Sequence, residues 1–222
     1  MAGFRTHVTV SSGLGVAVGA AAVNPLGYSP EAGFLVATVT AVGGMLPDLD
    51  SDSGIPLRET FSLAAAVSPL VLLPRFEQIG LSREGTVAGC VLAYLFVRYV
   101  GANTVRFISV HRGMFHSIPA MLISGLTVYL AYHSPDRNVR VLLAAGVMLG
   151  FFSHLLLDEL YSVDFNGVRL KLNQFAGSAI KFVSPSLPAT LVCYLLLGTL
   201  LWLAYREFGR LPTEPFAWPR LN

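Results

Sequence analysis

The sequence predicts an all-α fold, a polytopic transmembrane helical bundle of about six to seven spans, because its apolar runs suit a bilayer. Three observations carry that expectation. Only 13% of the 222 residues are charged and 54% are hydrophobic, about half the charge of an ordinary soluble domain. The mean hydropathy is +0.62. The apolar residues gather into long runs nearly free of charge, which a hydrocarbon core of roughly 30 Å selects and a water-soluble core does not need.

The runs fall at 8–23, 31–46, 61–74, 85–101, 114–132, 139–157 and 183–204. The first contains Gly13, Gly15 and Gly19, a small-residue spacing that lets helices approach closely. Its single arginine and its small residues near Ala20 and Ala22 also fit a secretory signal, but a first membrane helix is the reading adopted. "NPLGYSP" separates it from the second run, and "PDLDSDSGIP" ends the second. The third run is short and carries Pro69 and Pro74, so it reads as a kinked or re-entrant segment, and six spans is the alternative count. "HSPDRN" makes the turn between the fifth and sixth runs, as its Ser, Pro and Asp dictate. The organisation that results is a membrane-embedded unit over 1–182, a C-terminal membrane helix over 183–204 and a polar tail over 205–222.

A net charge of +2 with no basic stripe leaves no reason to expect a nucleic-acid partner. Cys90 and Cys193 both lie inside apolar runs, where cysteine behaves as a small hydrophobe, so no disulfide framework or CxxC metal site is readable.

Parity carries the next step. If all seven runs cross, His7, "PDLD" at 47–50, "HRGMFHS" at 111–117 and "SHLLLD" at 153–158 emerge on one side of the membrane. Four of the five histidines belong to those pieces; His133, in the opposite turn, reads as an ordinary solvated residue.

His154 and Asp158 are four apart and stack on one helical face, where they can serve one metal ion. Asp48 and Asp50, two apart after Pro47, point the same way if the backbone is extended. Taken alone, each pattern also fits a polar helix end. His111 and His116 are five apart and would diverge on a continuous helix. Gly113 can break the backbone between them, leaving His111 on a loop and His116 on the first turn of the next helix. Arg112 is a permanent cation whose planar fork suits a phosphate or carboxylate, or alternatively pairs with one of the aspartates. Ionisable groups at membrane depth are costly and mark function. His7, Asp48, Asp50, His111, His116, His154 and Asp158 together offer imidazole and carboxylate without thiolate, a set that zinc, manganese or iron accepts, with zinc favoured. Seven candidates exceed what one tetrahedral ion needs, so either some orient the others or the site holds two ions.

"HRGMFHS" resembles the H-R-G-x-T-H-S signature of the YdjM-type membrane-bound, metal-dependent hydrolases, also described as LexA-binding, inner membrane-associated hydrolases. The same family has a histidine near the N-terminus, a P-D-x-D after its second helix and a G-x-x-S-H-x-x-x-D on a later helix. These are matched here by His7, "PDLD" and "GFFSHLLLD" at 150–158, so the resemblance spans about residues 5–170 with order and spacing kept. Phe115 stands where the family usually has threonine, and "ELYSVDFNGVRL" after Asp158 replaces a threonine-rich, tryptophan-containing loop. The resemblance implies a metal-dependent hydrolase in a bacterial or archaeal inner membrane; no nucleic-acid binding is carried over with the LexA part of the name.

The resulting expectation is a hydrolase with an interfacial metal centre acting on a phosphoester or other lipid-like substrate. Arg112 takes the catalytic role of stabilising charge on a phosphoryl or acyl oxygen. Membrane lipid is the expected surrounding partner. The rivals are a metal-ion transporter, whose ligands usually lie near the bilayer midplane, and a closed structural metal site. With Arg206, Arg210 and Arg220 set aside as C-terminal, the motif side carries eight Lys and Arg against four, which places the metal site in the cytoplasm by the positive-inside rule.

Overall fold

The computed structural model describes residues 3–50, 55–101, 103, 114–165, 170–172, 181–184 and 186–208. In chain order these form α1 (Phe4–Val23), α2 (Pro30–Gly43), a 3-10 turn (Leu46–Asp50), α3 (Ile55–Gln78) and α4 (Arg83–Leu95). A π turn (Phe96–Gly101) continues α4, followed by α5 (Ile118–Ala131), α6 (Arg137–Leu160), the strands β1 (Val163–Phe165) and β2 (Leu170–Leu172), and α7 (Leu187–Phe208). The two strands pair antiparallel, Val163 opposite Leu172, a small exception to the all-α expectation.

Local chemistry sets the helix starts. The side chains of Ser29, Ser82, Ser117 and Asp136 each accept a hydrogen bond from a backbone N–H in the first turn of the helix they precede, satisfying donors that the helix leaves unpaired. Prolines in the first turns of α2 and α5 lose no helical bond there.

Four helices are long and apolar enough to cross a membrane: α1, Leu57–Gln78 of α3, α6 and α7. The short third run of the sequence thus belongs to a 24-residue helix with Pro69 and Pro74 inside it. By contrast α2 and α5 have 14 residues each, roughly 21 Å at 1.5 Å per residue and short of a bilayer core. The expected boundaries at 46 and 114 ran past the true ends because Met45, Leu46, Met114 and Phe115 are apolar letters on backbone that has already left the helix. Among the described residues, four helices thus reach full crossing length.

α1, α2 and α6 form the tightly packed centre. A Cβ at Gly15 would run into the Ala37 carbonyl, and one at Gly19 would lie 2.6 Å from the Gly33 carbonyl oxygen. Gly43 and Gly150 bring α2 and α6 into backbone contact, at the Val147 and Thr40 carbonyls respectively. Gly13 has nothing within 4 Å, so of the three glycines in the first run only Gly15 and Gly19 face the partner. Around this contact Val36, Val39, Leu143 and Val147 are buried together, joined by Val67 and Val71 of α3. The Ser11 hydroxyl donates to the Ala41 carbonyl at 3.2 Å and ties α1 to α2. α4 and α7 lie outside this core, with Val87, Leu92, Val192, Leu195 and Trp202 all exposed, as surfaces facing lipid are.

Candidate metal centre

The close packing of α1, α2 and α6 draws polar residues from four stretches of chain to one point. His7 comes from the second turn of α1, Asp48 from the 3-10 turn after α2, His116 from the bend before α5, and His154 and Asp158 from the last turns of α6. His7, His154 and Asp158 are 1%, 1% and 3% exposed, so each needs a partner in place of water.

Asp158 is central. Its Oδ1 lies 3.2 Å from His7 Nε2, and its Oδ2 lies 3.6 Å from His154 Nε2 and 3.7 Å from His116 Nε2. His154 Nε2 is also 3.6 Å from Asp48 Oδ1. Two overlapping groups result, His7 with His154 and Asp158, and Asp48 with His116 and His154, each with its ligand atoms within 4.8 Å of one another.

The orientation of the His154 ring follows from its neighbours. Its Nδ1 lies 2.8 Å from the Gly44 carbonyl oxygen, which can only accept, so Nδ1 carries the hydrogen. Its ring stacks on that of His7 with centroids 3.5 Å apart and planes 12° from parallel, an arrangement that two imidazolium cations would oppose. His154 Nε2 is buried, makes no hydrogen bond among the described residues, and faces two carboxylate oxygens 3.6 Å away. Those separations are too long for hydrogen bonds. They do match ligand atoms arranged tetrahedrally around one ion, which lie roughly 3.4 Å apart for metal bonds of about 2.1 Å. The group thus fits a divalent cation, and the Gly44 carbonyl is the outer partner that fixes the ring.

The structure brings together five of the expected residues: His7, Asp48, His116, His154 and Asp158. His111 and Arg112 lie outside the described residues, as does the side chain of Asp50. Two local expectations change. Leu46–Asp50 is a 3-10 turn and not extended backbone, so alternation of side chains does not govern Asp48 and Asp50. His116 precedes the capping Ser117 and does not sit on the first turn of α5.

The sequence reading missed Gly44, whose role is played by a carbonyl that every residue has; the only signal was a paired glycine where α2 ends. It also misplaced His133, which is half-buried with Nδ1 3.4 Å from Arg75 Nη1 and is not an ordinary solvated residue.

The family model described as YdjM inner membrane protein matches residues 1–210 of the chain. No curated protein and no solved structure matches it.

Proposed function

The chain belongs to the YdjM inner membrane protein family, and from that premise we propose that it is a membrane-bound, metal-dependent hydrolase acting on phosphoester or lipid-like substrates. The observation that supports this reading is the buried Nε2 of His154, without a hydrogen bond among the described residues, between Asp48 and Asp158. Imidazole and carboxylates so grouped are a donor set that a divalent cation accepts.

In this reading a divalent ion, zinc before manganese or iron, supplies Lewis acidity that activates water and polarises the scissile bond. The chain's own residues do the rest. Gly44 holds the His154 ring in one tautomer, and Asp158, with His7 near one oxygen and His116 and His154 near the other, would hold the ion together with them. Asp48 and Asp158 balance the positive charge. Arg112, adjacent to His111 in sequence, binds the anionic group of the substrate, and Asp50 and His111 complete the donor set.

The proposed membrane layout is seven crossings, with α2 and α5 shortened where they deliver Asp48 and His116. The meeting of His7, Asp48, His116 and His154 is consistent with this layout, in which each pair α1/α2, α3/α4 and α5/α6 goes out and returns. The eight-to-four excess of basic residues supports a centre on the cytoplasmic side.

The test is metal analysis of the full-length protein purified in detergent, followed by hydrolysis assays on phosphomonoesters and phospholipids. Bound metal with metal-dependent turnover supports the reading. Stoichiometric metal without turnover on any of these substrates refutes the proposed hydrolase and leaves a structural or transport site.

A further inference from the structure

The other end of α6 carries a second buried charge cluster. Arg140 is 0% exposed, and 14 residues separate it from His154, roughly 21 Å along a helix. Its Nε and Nη2 donate to the Tyr129 carbonyl at 3.2 and 2.7 Å, and Nη2 lies 3.0 Å from Glu207 Oε1. Arg75 Nη2 reaches the same Glu207 oxygen at 2.9 Å. Arg137 joins from the start of α6, its guanidinium 3.9 Å from the centroid of the Phe208 ring. Asp136 is exposed and its side chain accepts from the Asn138 N–H. Arg75 and Arg140 therefore share the Glu207 carboxylate, and Arg137 stacks on the neighbouring Phe208.

Donors are left over. Arg140 Nη1, and Arg137 Nε and Nη2, are buried without a hydrogen-bond partner among the described residues. Guanidinium N–H groups have no acceptor character and cannot pair with one another, so what they lack is an acceptor, and an anion is the strongest one.

The rings beneath these guanidiniums say what else the ligand has. Tyr129, 4.2 Å from the Arg140 guanidinium carbon, and Phe208 both line a groove of about 580 Å³ between α5, α6 and α7. It continues along apolar Leu122, Leu126, Met148 and Leu201, the first of these two helical turns from Tyr129. Its walls come from two of the membrane-spanning candidates, α6 and α7.

We infer that this groove binds an anionic phospholipid, with the headgroup phosphate at its Tyr129–Phe208 end against the partly exposed Arg137, the buried Arg140 behind Tyr129 adding its charge, and an acyl chain along α5–α6–α7. A phosphate suits a guanidinium fork, and basic pockets between membrane helices take such headgroups. The site lies at the opposite end of α6 from the His/Asp centre and does not depend on the hydrolase reading.

The experiment uses the full-length protein in detergent, with thermal stability and native mass spectrometry read against added dioleoyl phosphatidylglycerol, dioleoyl phosphatidylcholine or inorganic phosphate. Phosphatidylglycerol should stabilise the protein and remain bound, while the other two do neither. Arg137→Gln should weaken phosphatidylglycerol binding about fivefold, the effect of one basic contact at a headgroup. Ala204→Trp, which fills the groove, should also weaken it; both variants are first checked for helical content and monodispersity. Equal binding of the two lipids, an equal shift by inorganic phosphate, a second protein copy held by this face in place of lipid, or well-folded variants with unchanged lipid preference would each overturn the proposal.

Discussion

His154 Nδ1 lies 2.8 Å from the carbonyl oxygen of Gly44, a bond between the last turns of α6 and the end of α2 that aims Nε2 at Asp48 and Asp158. The ring is oriented by backbone, so its position depends on how closely the two helices pack.

That dependence can be measured at Gly44. Its backbone is ordinary right-handed helical, but a Cβ there would run into Ser11 and come 3.1 Å from the Gly150 carbonyl oxygen. Gly44→Ala should lower metal affinity about 10- to 100-fold, the usual effect of disturbing an outer partner of a ligand. Chelator competition on the purified protein reads it. Unchanged affinity would mean that the Gly44 carbonyl does not set the ring.

His116→Ala and Arg112→Ala should separate metal binding from turnover. The first should lose metal and hydrolysis together, because His116 Nε2 faces Asp158 Oδ2 inside the cluster. The second should keep its metal and lose turnover on an anionic substrate, by about 100-fold or more for a lost charge-stabilising donor. If Arg112→Ala instead unfolds the protein while the surviving fraction keeps its activity, Arg112 is a structural ion-pair partner.

Helix contact gives a third prediction. Gly150→Ala places a methyl against the Thr40 carbonyl, whereas Gly13→Ala meets nothing within 4 Å. The first should destabilise by about 1–3 kcal/mol, as overpacking does. The second should be neutral or stabilising by up to about 1 kcal/mol, since alanine is the better helix former. Thermal unfolding in detergent compares them directly; equal losses would contradict the α2–α6 packing.

The seven-crossing layout is open to chemical labelling. In a background lacking Cys90 and Cys193, Leu81→Cys and Pro135→Cys should react with an impermeant maleimide from one side of the membrane. Gly3→Cys should react from the other. Reaction of Leu81→Cys and Gly3→Cys from the same side would remove α3 as a crossing.

Glu207 gives the last. It faces both Arg75 and Arg140, the latter fully buried, so Glu207→Gln leaves two cations without their carboxylate. A loss of about 3 kcal/mol is expected, the lower end for breaking a buried pair. Stability unchanged in chemical denaturation would show that the pair is already screened by water.

Much of this was legible in the letters. Hydropathy determined an α-helical membrane protein, because a bilayer leaves the backbone few other ways to satisfy its hydrogen bonds. Residue type and parity picked out His7, Asp48, His116, His154 and Asp158, since imidazole and carboxylate at span ends are costly unless used. Other features could only come from packing. α2 and α5 are short because the backbone turns at Gly44 and caps at Ser117, while apolar letters run on through Met45 and Met114 and hide the boundary. Gly15 and Gly13 are the same letter, yet only one meets a neighbour. Arg140 is in sequence one more arginine beside a turn, and its burial against Tyr129 and Glu207 depends on the return of α7, more than sixty residues later. The sequence determined which groups are chemically able to meet, through their own type and period; which of them do meet was decided by backbone contacts between helices far apart in the chain, and these leave no mark on any single residue.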